Sequence, residues 1–149
     1  MRLIAGAWVV RGGDVLLLER KGGTSHGMWV PPGGLVNYGE DAATAAARET
    51  REECGLVVAE PEFLRDWDWE THNGTWRVEQ FIGEVPDGAV RLSHEHTGYR
   101  WMDPREYERE HLVNAVAPAP RFVDWFAQMR LSVDAVCDWM AARGPHASP

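Results

Sequence analysis

Residues 34–56 read GLVNYGEDAATAAARETREECGL, a segment that packs the carboxylates Glu49, Glu52 and Glu53 within five positions. Asp41 to Cys54 is alanine-rich and contains no Gly or Pro, and Gly55 stands where a helix-ending left-handed residue belongs. A loop followed by a helix is therefore expected. At 100° per residue the three carboxylates fall at about 0°, 300° and 40°, on one face with an arc of about 100°. Such a face is either an ordinary solvated surface, with Arg48 and Arg51 as counterions, or a site for a positive partner. Hard divalent cations such as Mg²⁺ take oxygen ligands and are shared between carboxylates and substrate phosphates, which is what this face offers. Glu40 lies about 180° from Glu49 on the same wheel, so it is expected to make a loop or helix-start contact instead.

Working outward, Leu3–Arg11 and Val15–Arg20 are β-like runs around a Gly12-Gly13-Asp14 turn, which predicts a hairpin. The stretch GGTSHGMWVPPGG reads as a loop with a short extended piece at Trp29 to Pro32. Val57–Glu70 and Thr75–Val85 are expected to be strands joined through His72-Asn73-Gly74, with a further strand over Gly98–Met102 behind the polar loop SHEH. Asp103-Pro104 predicts a short helix to about Arg109. From about 118 to 143 the apolar residues Phe122, Val123, Phe126, Met129, Val133, Val136, Cys137 and Met140 recur at helical spacing, as one broken helix or two, and the terminal GPHASP is expected to fray. Strands alternating with helices give an α+β reading: one domain over 1–149, a mixed sheet flanked by helices.

Composition removes several function classes. The chain has 149 residues, 44% of them hydrophobic, enough for one sizeable core. Its formal net charge of -8 disfavours a nucleic-acid polymer as partner, because such binding rests on basic surfaces. No run approaches the roughly 18 apolar residues that a bilayer crossing requires, and MRLIAGAWVVRGGD reads as strand and turn, so a cytoplasmic protein without membrane contact is expected. Cys54 and Cys137 lack CxxC or Cys/His spacing and are expected to be reduced and structural. The eight tryptophans are for the most part expected to be packing residues.

Gly34, Glu40, Arg48-Glu49, Glu52-Glu53 and Gly55 with apolar Leu56 follow the spacing G-x5-E-x7-R-E-U-x-E-E-x-G-U, the Nudix box, with Thr50 departing from its usual aliphatic residue. The chain thus resembles the Nudix hydrolases, the MutT-like superfamily, over roughly residues 3–110, with VLLLERKGGTSHGMWVPPGG and SHEHTGYRWMDPREY adding support outside the box. The resemblance implies an α/β/α sandwich and hydrolysis of a nucleoside diphosphate linked to a group X, dependent on Mg²⁺ with Mn²⁺ as substitute. A MutT-type nucleoside triphosphate pyrophosphohydrolase is the first expectation. ADP-ribose, dinucleoside polyphosphates and nucleotide sugars are alternative substrates, and a noncatalytic Nudix-fold ligand sensor is the alternative of another class.

The same resemblance implies site residues. Glu49, Glu52 and Glu53 match the metal-binding positions, Gly34 the position whose carbonyl also coordinates metal, and Arg48 a residue that orients these carboxylates by a bidentate pair. Glu95, in the later loop, and Glu49 are the two candidates for general base. Arg20 matches a basic phosphate contact, whereas His94 and His96 read as surface histidines. Trp29 either lines the nucleoside pocket or packs under the box loop, and Trp67, Trp69 and Trp76 are either core or a wall for a base. Members are frequently dimers, so a homodimer is among the expected assemblies.

Overall fold

The computed structural model describes residues 2–144; the expected fraying of 145–149 lies outside them. Seven strands form one mixed sheet: β1 Arg2–Arg11, β2 Asp14–Arg20, β3 Trp29–Val30, β4 Gly33–Leu35, β5 Glu62–Thr71, β6 Gly74–Glu84 and β7 His96–Met102. The main path runs β3-β2-β1-β6-β5, with β4 added to β1 and β7 to β2. β1 is the hub. Its last residues turn through Gly12-Gly13 into antiparallel β2, with Val10 opposite Val15. Its first half pairs with antiparallel β4 on one side, and it runs parallel to β6 on the other. The Asn73-Gly74 signal is a true hairpin, Thr71 facing Gly74 at its tip.

Alternation along the strands sorts the core into two layers. Ala5, Ala7, Val9, Leu16, Leu18 and Phe81 face helix α1, Ala42–Cys54, with Ala45 and Ala46 among their buried neighbours. Small residues on both sides let the helix lie close to the sheet. Trp8, Val10, Val15, Leu17, Val78 and Ile82 face the opposite way, toward α2 (Pro104–Tyr107) and α3 (Arg121–Ala142). This is the expected mixed sheet between helices.

Several expectations change in detail. The box opens on a strand: Gly33–Leu35, read as loop, pairs with Ile4–Gly6 of β1. The reason is steric. A Cβ on Gly33 would lie 2.8 Å from the Ala5 carbonyl oxygen, so only glycine lets the two backbones meet. Residues 57–61 are irregular and β5 starts at Glu62, just after Pro61. The short helix is four residues long and continues as π-helical turns over Glu108–Val113. The C-terminal segment is one unbroken helix of 22 residues, since no Gly or Pro interrupts 121–142.

Candidate active site

The site is built on α1. Asp41 caps its start by accepting from the Thr44 amide at 2.8 Å, and Gly55, at φ 75°, ends it. Thr50, the box departure, is fully buried, and its hydroxyl donates to the Ala46 carbonyl at 2.7 Å, so the polar atom is satisfied inside the layer.

Arg48 ties the acidic face together. Its guanidinium holds Glu40 with two bonds, Nε to Oε2 at 2.8 Å and Nη2 to Oε1 at 3.0 Å, and reaches Glu49 at 3.1 Å and Glu52 at 3.3 Å through Nη1. The two-pronged pair expected for Arg48 is therefore made to Glu40, which also accepts from the Asn37 amide in the box loop, while Nη1 alone serves Glu49 through one oxygen and Glu52 through both. Glu40 thereby becomes the loop contact the helical wheel predicts.

Glu53 is only 4% exposed, and its Oε1 accepts from the Gly33 amide at 2.9 Å. Burial pushes its carboxyl up to about 8, with the nearby charges of Glu49 and Glu95 adding to the shift and the Gly33 bond and Arg20 opposing it. Burial also raises Glu49, seconded by Glu52 and Glu95 and opposed by Arg48. Gly34 is the seat of Glu49: a Cβ there would lie 2.6 Å from the carboxylate carbon. Glu95 stands on an exposed turn whose carbonyl accepts from the Lys21 amide at 3.0 Å, close enough for its charge to be felt at both Glu49 and Glu53. His96 departs from expectation: it is 6% exposed rather than at the surface, because β7 starts with it opposite Arg20.

These donors fit a hard divalent cation. They are all oxygens, they crowd around a buried carboxylate, and each gains from a positive partner. Among the described residues no three such side chains form a preformed cage.

A cleft of about 250 Å³ lies against Gly33 and Gly34 on the α3 side, with Arg20, Gln80, Trp69, Trp76, Phe122 and Trp125 among its walls. The carboxylates do not line it; they touch the far side of the same glycine strip. Arg20 enters at a β-bulge between Glu19 and Arg20, where its Nε donates to Ser25 at 2.7 Å. Of the tryptophans singled out, Trp76 lines the cleft, as does Trp69, whose ring lies 4.9 Å from that of Trp125. Trp67 does not: it is buried beneath, 5.7 Å from Trp125, in a core role. Trp29 is also outside the cleft, its ring 5.6 Å from His111 and its carbonyl accepting from buried Tyr107 at 2.7 Å. Trp125 and Gln80 were not anticipated as site residues. Gln80 carried a signal, a polar residue at the inward position between Val78 and Ile82.

Known proteins share this fold. The C. elegans Ap4A hydrolase, solved as a binary complex, superposes with a TM-score of 0.74 at 22% identity, over 95% of this chain and 99% of that one, which carries the fold. An asymmetrical bis(5'-nucleosyl)-tetraphosphatase of Mus musculus is 36% identical over 99 residues, 62% of this chain. The match spans just under two thirds, 66%, of that relative's length. An RNA pyrophosphohydrolase of Dinoroseobacter shibae is 28% identical over 132 residues, 75% of this chain and 76% of that protein. The NUDIX domain family matches residues 1–126, and with the box, the sheet and the acidic helix in place, the chain belongs to the Nudix hydrolase superfamily.

Proposed function

We propose that the protein is a Mg²⁺-dependent pyrophosphohydrolase that cleaves dinucleoside polyphosphates asymmetrically. The observation that carries this reading is the joint between an aromatic cleft and a carboxylate cluster centred on buried Glu53, which meet at the backbone of Gly33 and Gly34. A base in the cleft delivers its phosphates to the acidic helix. Nucleoside triphosphates, the first expectation from sequence, move to second place because the 36%-identical relative is a tetraphosphatase.

In this reading Glu49, Glu52, Glu53 and the Gly34 carbonyl hold Mg²⁺, or Mn²⁺ in its place. The ion supplies charge neutralisation at the diphosphate and a more acidic water. The chain's own groups do the rest. Trp69, Trp76 and Trp125 hold the base by stacking. Arg20 meets phosphate oxygens as they leave the cleft. Glu95, on its exposed turn and within electrostatic reach of Glu53, accepts the proton of the attacking water, and Arg48 keeps Glu49 and Glu52 in place. Action in the cytoplasm is part of the proposal. No helix among the described residues is long and apolar enough to cross a membrane.

The test is a steady-state panel with Mg²⁺: Ap4A and Gp4G, nucleoside triphosphates, ADP-ribose and nucleotide sugars, with Glu53→Gln as control. A kcat/KM for the tetraphosphates above that for all other classes, lost in the variant, supports the proposal. Cleavage of another class in preference rejects the substrate, and tight binding with no cleavage of any compound makes the protein a ligand sensor.

A further inference from the structure

We propose that Gln80 reads the nucleobase, donating from its amide to a purine that carries a carbonyl oxygen at position 6 and discriminating against one that carries an amino group there. The inference rests on the reading of the aromatic cleft as a base pocket. It concerns which base, and it comes from the wiring of one buried side chain.

Gln80 is 4% exposed and lines the cleft between the tryptophans and the glycine strip. Donors that cannot accept set the orientation of its amide. Trp8 Nε1, a donor only, gives its proton to Oε1 at 3.0 Å. Arg65, also a donor only, gives one proton to the Ser132 hydroxyl oxygen at 3.0 Å, so Ser132 must pass its own proton on. Ser132 donates it to the same Gln80 Oε1, a contact shorter than the 3.3 Å to the Gln128 carbonyl. Rotating the amide by half a turn would set an N–H against the indole N–H and break the Trp8 bond, and the indole can only donate. The carbonyl end of Gln80 is therefore used up inside the protein.

The amino end is not. One N–H points to Met129 Sδ at 3.2 Å, a weak acceptor, and the other has no acceptor among the described residues. A buried amide proton without a partner is costly, and Gln80 is one of the residues that line the cleft. Gln80 presents donors only to whatever enters.

Strand register places this donor at the right end of the site. Gly6 pairs with Gln80 across β1–β6 and with Gly33 across β1–β4, so the three residues stand in a row. Two strand spacings put Gln80 about 10 Å from Gly33, the residue that anchors Glu53. Gly6 has no side chain to block the span. A nucleotide can thus lay its base edge at Gln80 and its phosphates at Gly33.

The two common purines differ at this edge. Guanine and hypoxanthine present O6 beside N7, both acceptors, whereas adenine presents an amino donor beside N7. A donor-only floor satisfies the first pattern and opposes the second. The indole walls favour the larger face of a purine over a pyrimidine.

Isothermal titration of the full chain in Mg²⁺ with 5'-monophosphates, which contain no anhydride to cleave, reads the preference without turnover. Inosine and guanosine monophosphates are expected to bind about tenfold tighter than adenosine monophosphate and purine riboside monophosphate, which lacks only the 6-oxo function. Gln80→Glu keeps an acceptor for Trp8 and Ser132 but removes the donor, and is expected to abolish or reverse the preference at unchanged near-ultraviolet circular dichroism. If that variant does not fold, the wild-type series decides alone. Equal affinity for the inosine and purine riboside compounds overturns this inference while leaving the base pocket standing. Uridine monophosphate bound as tightly as guanosine monophosphate overturns the purine assignment. No binding of any nucleotide overturns the pocket and the inference with it.

Discussion

Gly33 and Gly34 are adjacent and both lack room for a side chain, yet replacing each by alanine should have opposite consequences. At Gly34 the three nearest atoms to a Cβ are all those of the Glu49 carboxylate, at 2.6–2.8 Å. Ordinary contact begins at about 3.5 Å, so the carboxylate must move by roughly 1 Å. It is the end of a flexible side chain and can do so at little cost to stability, helped by the smaller entropy of the unfolded alanine chain, worth about 0.4–1 kcal/mol. A misplacement of about 1 Å at a reacting centre costs about 10²-fold in rate. Gly34→Ala should therefore melt within a few degrees of wild type and lose about two orders of magnitude in kcat/KM. At Gly33 the Cβ meets the Ala5 carbonyl oxygen and Gly6 Cα, both at 2.8 Å, and backbone cannot step aside. Overpacking of this kind costs about 1–3 kcal/mol, at roughly 2–4 °C per kcal/mol for a chain of this size. Thermal melts and initial rates of both variants, measured side by side with Mg²⁺, check the contrast. Wild-type turnover in Gly34→Ala, or a melting loss as large as that of Gly33→Ala, would refute the placement of Glu49 on the glycine strip.

Glu53→Gln should abolish turnover and keep the fold, because an amide oxygen still accepts from Gly33. With metal chelated, wild type should lose stability relative to this variant as pH rises from about 4.5 to about 8: the folded carboxyl, pushed up to about 8, holds its proton where the unfolded one has released it. A constant difference in melting temperature across that range would remove the buried-carboxyl argument. Glu95→Gln should lower kcat far more than it changes substrate affinity, and an unaltered rate would reject Glu95 as base in favour of Glu49. Trp76→Ala should weaken nucleotide binding at least several-fold, whereas Trp67→Phe should leave it unchanged, since only the first ring borders the cleft. Equal effects in titration calorimetry would contradict the assignment of the two walls.

The acidic helix, its left-handed stop and the shared face of its glutamates were legible in residues 34–56, because all of these are local properties of a helix. The two hairpins were legible for the same reason. The strand Gly33–Leu35 was not. Its glycines look like loop, and their role is visible only once β1 lies against them, where the backbone of Ala5 and Gly6 leaves no room for a Cβ. Alternation correctly puts Trp67 and Trp69 on one face, but which is core and which is wall depends on where Trp125 of α3 lands. Spacing likewise shows that Arg48 is near Glu49 and Glu52; that its two-pronged bond goes to Glu40 depends on how the box loop folds back. The Gln80 network joins β1, β5, β6 and α3 and has no local signature beyond one polar residue on an apolar face.

The central claim is tested most directly by hydrolysing a dinucleoside tetraphosphate in ¹⁸O-labelled water with Mg²⁺ and weighing the products. The account predicts a nucleoside triphosphate and a nucleoside monophosphate, one of them carrying the label, and no products from Glu53→Gln. Two unlabelled products, two nucleoside diphosphates, or an undiminished yield from the variant would contradict it.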